Sequence, residues 1–401
     1  MNPALPHLQP YPFARLRKLL ADTHPNPKLP FIRLSIGEPQ HPPPPAVLTA
    51  LQNALPKIAH YPATEGSPEL RTAIACWLQK RFALSQIDPA TQILPVNGTR
   101  EALFAVTQAL TGAKPETPQK PTVLMPNPCY QIYEGAALLA SAQPLFYPLD
   151  PKTGQPNLTK LTEVQLDHCQ LMYLCTPGNP NGRTLPAPAL IQLINLARAH
   201  NFTLISDECY GELYLDENHP SPGLLQACDQ LTPGNYSHCL SFHSLSKRSN
   251  LPGLRSGFVA GDPARIAQFL RYRTYHGSAM PPHHQAASIA AWQDEKHVVA
   301  NRQKYRQKYR RLLPILADHF PFTAPDAGFY LWLKTPIDDR EFARTLYAQE
   351  NLLALPGSFL ARQINSQNPG QNRLRIALAS NEDELIEAAQ RLCRHAARLS
   401  P

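Results

Sequence analysis

Between residues 92 and 260 short apolar, β-rich runs alternate with helical patterns. The runs are residues 92–96, 122–125, 171–175, 203–206, 239–242 and 258–260. Apolar runs without polar alternation describe strands buried on both faces, and parallel strands of that kind need helical crossovers between them. Residues 98–110 supply one such helix, with Leu103, Val106 and Leu110 on one stripe. Residues 188–200 supply another, with Leu190, Ile191, Ile194 and Ala197 spaced helically. The expected class is α/β, with a mostly parallel central sheet flanked by helices.

The polar residues at the run ends carry the functional information. Residues 98–100, 127–130, 179, 207–210 and 244–247 each follow a predicted strand at its C-terminal end. In open α/β sheets that edge binds ligands, so segments distant in sequence converge on one pocket. Within residues 241–257, Lys247 has Ser244 three residues before it and Arg255 eight after it. An amine able to condense with a carbonyl, beside a hydroxyl and a guanidinium suited to phosphate, matches pyridoxal 5'-phosphate. Gly98, Thr99 and Arg100 open a helix whose free N–H groups attract an anion, extending the phosphate cradle. Asp207 can pair with a pyridinium nitrogen, Tyr210 and Asn179 can bond to the ring's phenolic oxygen, and Tyr130 offers a stacking face. Singly, each has a plainer reading as a cap, a turn, an ion pair or a half-buried ring. Their joint placement gives them weight.

Outside this region the rhythm stops. The tail shows a long basic helix over about 294–319, strands near 329–334 and 373–379, and a final helix from Glu382. We expect a large domain over 46–290 and a smaller α+β domain built from both chain ends, 1–45 and 291–401. The net charge of +8 admits anionic partners, and the densest basic run is 302–311. Its charges fall on nearly every side of a helix, which suggests a solvated helix rather than a stripe that reads nucleic acid. Tyr305 and Tyr309, four apart, should pack one face. The eight cysteines lack C-x-x-C spacing, so a reducing, cytoplasmic compartment is expected and no metal site is. No apolar stretch is long enough for a membrane span.

Over nearly its whole length the chain resembles the fold-type I, class I/II pyridoxal-phosphate aminotransferases. The resemblance rests on Tyr61-Pro-Ala-Thr-Glu-Gly66, Asn97-Gly-Thr-Arg-Glu-Ala-Leu103, Asn179-Pro, Asp207-Glu-Cys-Tyr210, Ser244-Leu-Ser-Lys247, Gly253-Leu-Arg255, Pro356-Gly357 and Arg375. It implies that Lys247 is the Schiff-base lysine and Asp207 the pyridinium partner. By the same resemblance Tyr130 stacks on the ring, Asn179 and Tyr210 bind its oxygen, and Thr99, Arg100, Ser244 and Arg255 hold the phosphate. Tyr61 reaches the phosphate of a neighbouring subunit, which implies a homodimer. Arg373 and Arg375 share one strand phase, so periodicity leaves the substrate-carboxylate arginine open. The family pattern, an arginine immediately before Ile-Ala, selects Arg375, assisted by the backbone of Gly37. The implied reaction is transamination between amino acids and 2-oxo acids with ping-pong kinetics.

Several segments resemble the proteobacterial N-succinyldiaminopimelate aminotransferases in particular. They are Gly37-Glu-Pro-Gln-His-Pro-Pro-Pro, Pro95-Val-Asn-Gly-Thr-Arg-Glu-Ala-Leu-Phe104, Pro126-Asn-Pro-Cys-Tyr-Gln-Ile-Tyr-Glu-Gly135, and Leu355-Pro-Gly-Ser-Phe-Leu360 with Asn368-Pro-Gly370. Residues 274–284, where aspartate-type relatives carry an arginine for a distal carboxylate, hold none. The expected substrate pair is N-succinyl-LL-2,6-diaminopimelate and 2-oxoglutarate, in lysine biosynthesis. Arg17, Arg33, Arg100, His276, Ser278 and Asn368 stand as candidates for the succinyl group. N-acetylornithine transamination is the nearest alternative, followed by a C–S β-lyase. A PLP-binding regulator is disfavoured, because the segment before Pro39 is too short and proline-rich for a helix-turn-helix.

Overall fold

The computed structural model describes residues 2–113 and 119–399, so most of the proline-rich connector at 114–121 lies outside the described residues. Among the described residues, the strands of a seven-stranded sheet run in the order Ile93–Val96, Gly257–Gly261, Cys239–Ser244, Thr203–Asp207, Cys169–Cys175, Thr122–Asn127, Gln143–Pro148. Every strand is parallel to its neighbours except Gly257–Gly261, which is antiparallel to both of its own. The Gln143–Pro148 strand escapes sequence reading because Pro144 and Pro148 interrupt it. It sits at the sheet edge, where a missing N–H donor is tolerated.

The apolar runs serve two cores at once. Val123, Met125, Leu171, Tyr173 and Ile205 pack with the Thr99–Leu110, Gln131–Leu139 and Pro263–His276 helices. Their strand neighbours Leu124, Met172, Leu174 and Leu204 pack instead with Pro68–Phe82, Ala187–Ala199, Leu224–Leu231 and Pro282–Gln293. Successive side chains leave a strand on opposite faces, so a sheet covered on both sides needs apolar residues at every position.

A third apolar cluster is separate. It joins Ile32 and Leu34 from the N-terminal segment to Leu312, Phe329, Leu333, Phe342, Leu374 and Leu392. Its sheet is antiparallel, with Arg373–Ala377 between Leu355–Pro356 and Tyr330–Lys334. Ile32–Arg33 pairs in parallel with Leu352–Leu353, tying the N-terminal segment to the C-terminal part of the chain.

The basic helix, Lys296–Ala317, corrects the expectation of a helix solvated all round. Tyr305 and Tyr309 do pack into the third cluster, but Arg302 and Lys308 are also buried. Arg302 makes a forked bond to Glu217 at 2.9 and 3.1 Å, lies 3.6 Å from Glu212 and stacks 4.2 Å over the Tyr214 ring. These partners lie about ninety residues earlier, so no helical wheel reveals them. No helix among the described residues is long and apolar enough to cross a membrane.

Removing one member of such a buried pair strands the others. Arg302→Leu should destabilise the protein by about 2 kcal/mol, read as a lower melting temperature. Arg302→Lys should recover only part of that, because a point charge lacks the fork. A melt of Arg302→Leu matching wild type would mean the pair is effectively solvated.

Candidate active site

A cavity of about 380 Å³ lies at the carboxyl edge of the large sheet. Gly37, Thr99, Arg100, Tyr130, Asn179, Asp207, Tyr210, Ser244, Lys247, Arg255 and Arg375 all line it. The convergence read from the strand ends is therefore realised in space.

One end of the cavity is built for an anion. Gly98 precedes the Thr99–Leu110 helix with φ +88°, and a Cβ there would lie 2.1 Å from an Arg255 guanidinium nitrogen. Only glycine lets that side chain cross the helix start. Ser244 pairs across the sheet with Gly257, whose Cα faces the Thr99 methyl, so Ser244, Thr99 and Arg255 are neighbours. Ser244 caps the short Leu245–Arg248 helix by accepting from the Ser246 N–H at 3.1 Å. Its hydroxyl also lies 2.9 Å from that of Ser246. Arg255 donates to Glu101 at 2.6 Å and to the Pro252 carbonyl at 3.0 Å.

The deep end is built for a cation. Asp207 is the last residue of its strand and is buried. It accepts from the Tyr133 hydroxyl at 2.7 Å and the Cys209 N–H at 3.3 Å. Burial pushes its carboxyl up from the usual range, while those two donors pull the other way. Among the described residues no cationic side chain pairs with it. A buried carboxylate with only neutral donors is costly until a positive group joins it.

Between the two ends stands Lys247. Its Nζ donates to the Gly37 carbonyl and lies 5.5 Å from the Phe329 ring centre. Burial lowers the amine to about 8, with Arg375 and Arg100 adding to the effect and Cys209 and Glu38 opposing it. Opposite, Arg375 donates to Asn179 Oδ1 at 2.9 Å and to the Ser35 carbonyl at 2.8 Å, and lies 4.4 Å over the Tyr330 ring. Its Nε is buried and unpaired among the described residues. Arg373 lines a different cleft, beside Trp332 and Lys334, which separates the two arginines that periodicity left equal. A phosphate-sized donor cluster, an unpaired buried carboxylate and an amine between them fit pyridoxal phosphate.

Other residues fall elsewhere. Tyr61 is fully exposed and lies outside the cavity wall. Of the succinyl candidates only Arg100 lines the cavity, donating from Nε to the Tyr130 hydroxyl at 2.6 Å. Arg17, Arg33, His276 and Ser278 are exposed away from it, and Asn368 turns inward to accept from the Gly370 N–H at 2.9 Å. Sequence reasoning missed Tyr11, Glu38, Ser246 and Tyr330, which also line the cavity. Ser246, in Ser-Leu-Ser-Lys, was recoverable from its place beside the lysine. Tyr330 was not, because an aromatic on a buried strand reads as core.

The sequence matches the aminotransferase class I and II family over residues 30–392. It is 33% identical over 378 residues to a probable aminotransferase of Mycobacterium tuberculosis, covering 94% of this chain and 82% of that one. An aminotransferase structure from Neisseria meningitidis superposes with a TM-score of 0.93 at 44% identity, over 98% of this chain and 99% of the other. A probable N-succinyldiaminopimelate aminotransferase from Thermus thermophilus superposes with a TM-score of 0.84 at 26% identity, over 96% of this chain and all of the other. With this family match along nearly its full length, and a cavity fitted to the family's cofactor, the chain belongs to the class I and II aminotransferases, which use pyridoxal phosphate to move amino groups between amino acids and 2-oxo acids.

Proposed function

We propose that this aminotransferase exchanges an amino group between N-succinyl-LL-2,6-diaminopimelate and 2-oxoglutarate, in the route to diaminopimelate and lysine. The observation that carries the reading is the set of subfamily-like segments around the cavity, from Gly37-Glu-Pro-Gln-His to Leu355-Pro-Gly-Ser-Phe-Leu. The likeness to the Thermus thermophilus protein supports it. So does the charge of the cavity wall, where Arg100 and Arg375 offer two guanidinium groups to a substrate with several carboxylates.

In this reading Arg375 grips the α-carboxylate and so fixes which Cα bond faces Lys247. Bound pyridoxal phosphate supplies an electron-withdrawing ring that spreads the charge left when Cα loses its proton. Lys247 Nζ takes that proton and returns it, with its basicity lowered by burial toward the working pH. Asp207 would keep the ring nitrogen protonated, Tyr130 would offer its face to the ring, and Asn179 and Tyr210 would bond to its oxygen. Gly98, Thr99 and Arg100, through the free N–H groups of the helix start, would hold the phosphate together with Ser244 and Arg255. Exposed Leu55, Ile58, Tyr61 and Tyr275 support a homodimer in which Tyr61 serves the partner's site. We assign 46–290 to a large cofactor-binding domain, and 1–45 with 291–401 to a smaller one, on the strength of the separate apolar cluster. Eight free cysteines support a cytoplasmic location.

Steady-state turnover of N-succinyl-LL-2,6-diaminopimelate with 2-oxoglutarate should exceed that of aspartate, and faster aspartate turnover would reject this substrate. Because a nucleophilic amine must be unprotonated, uptake of pyridoxal phosphate by the apoprotein should speed up about tenfold per pH unit below pH 8 and level off above it. A rate that keeps rising about tenfold per unit through pH 9, toward the ordinary lysine value of about 10.4, contradicts the lowered amine. Gly98→Ala should raise the cofactor's dissociation constant on the order of tenfold or more, measured by absorbance titration, because Arg255 must leave its place.

A further inference from the structure

The Lys247 amine and the Arg375 guanidinium belong to different sheets, yet their work requires a fixed distance between them. A chain of polar groups, buried at Lys308 and Asn301 and half-buried at His41, runs behind the cavity from one to the other. Lys308 Nζ donates to the carbonyls of Leu378 and Ala379 at 3.1 and 3.4 Å, just beyond the strand that carries Arg375. The same Nζ lies 2.9 Å from His41 Nε2. His41 Nδ1 lies 2.8 Å from Asn301 Oδ1, and Asn301 Nδ2 donates to the carbonyls of Lys247 and Arg248 at 3.2 and 3.3 Å. Lys308 and Asn301 are each only 3% exposed.

Chemistry fixes the direction of every bond. Burial lowers Lys308 to about 8, so near neutrality it is an ammonium that only donates, His41 Nε2 accepts and His41 Nδ1–H donates to Asn301. Asn250 Nδ2 donates to the same Asn301 oxygen at 3.1 Å, and two carbonyls hold the other end of the amide, so the Asn301 side chain cannot turn round. Burial lowers His41 to about 4, with Lys308 and Lys304 adding to the effect, which keeps the ring neutral as the chain requires. Glu382 and Lys304 are the charged groups facing Lys308, and Tyr305 packs on both it and His41.

We propose that Lys308, His41 and Asn301 are positioning residues that set the reach of the Lys247 amine relative to a substrate held by Arg375. The proposal rests on those roles for Lys247 and Arg375 and not on the identity of the substrate. Severing the chain at His41 removes one of the two donors that hold Asn301 Oδ1, and so loosens the grip on the Lys247 backbone without touching the cavity wall, since none of the three residues lines it. Glutamine is the conservative replacement, because its side-chain oxygen can accept from Lys308 while its nitrogen donates to Asn301.

The experiment compares His41→Leu and His41→Gln using any α-amino acid the wild type converts, with protonated and α-deuterated forms in single turnover. His41→Leu should slow the turnover on the order of tenfold and enlarge the deuterium effect, as proton transfer becomes more limiting. In the apoprotein, peptides spanning residues 244–250 should exchange amide hydrogens faster. His41→Gln should restore both. A Leu variant with wild-type rate and isotope effect overturns the proposal. So does equal impairment of both variants, or a lowered melting temperature with no change in isotope effect, which marks the chain as structural only. If His41→Leu does not fold, Lys308→Met against Lys308→Arg carries the same comparison, and the same outcomes support or overturn the proposal.

Discussion

Holding one amine out of water governs much of this structure. A lysine in solvent is a poor base near neutrality, because its proton is bound too tightly. Burial lowers the Lys247 amine to about 8, but a flexible four-carbon stem in an open cavity would wander. Its backbone is therefore anchored from below. Arg248, the next residue, is buried between Trp77 and Trp292, and bonds to Glu295 and to the Ala291 carbonyl. Asn301 holds the two carbonyls at Lys247 and Arg248. The residue we propose to move protons thus sits beside one whose side chain belongs to the core.

The same logic explains why the deep end of the cavity leaves a carboxylate unpaired. Asp207 could have been satisfied by a lysine or arginine, which the chain has in excess. Instead two neutral donors hold it, which in the proposed role leaves it free to pair with a positive ring nitrogen. At the other end Arg255 does have an internal partner, Glu101, but that pair is half exposed and cheap to rearrange. Stability is given up at Asp207 and kept modest at Arg255, where binding needs it.

Much of this was legible in the sequence because the chemistry sits at strand ends. Five of the seven strands of the large sheet announced themselves as apolar runs followed by residues 98–100, 127–130, 179, 207–210 or 244–247, and each of these segments sends at least one residue into the same cavity. Antiparallel Gly257–Gly261 was found as a strand without any sign of its direction, since strand direction leaves no mark on composition. What stayed hidden depends on distant partners. Arg302 and Lys308 look like surface charges on a helical wheel, and only the approach of Glu217 and of His41 makes them core residues. Tyr133 looks like packing, and its hydroxyl matters because Asp207 ends a strand two positions across the sheet.

Substrate choice is the layer least fixed by these rules, and the geometry shows why. The residues that handle cofactor and proton are set on strand ends and helix starts, whose positions follow from backbone hydrogen bonding. The side chains that a long acyl substrate would meet instead include Arg100 and Tyr11 of the cavity wall. Arg100 is the clearest case: it starts a rigid helix, yet among the described residues its guanidinium hydrogen-bonds only to the hydroxyls of Tyr130 and, at 3.3 Å, Tyr11. Tyr11 belongs to the N-terminal segment, which packs through Leu16 on Leu355, Phe359 and Leu360 of the smaller sheet's neighbourhood. A group held by two neutral hydroxyls from different parts of the chain can exchange them for a carboxylate at small cost, because a charged acceptor replaces neutral ones. Under the proposed substrate the distal end of the pocket would therefore gain its affinity when substrate arrives, whereas the donors at the cofactor end are already in place.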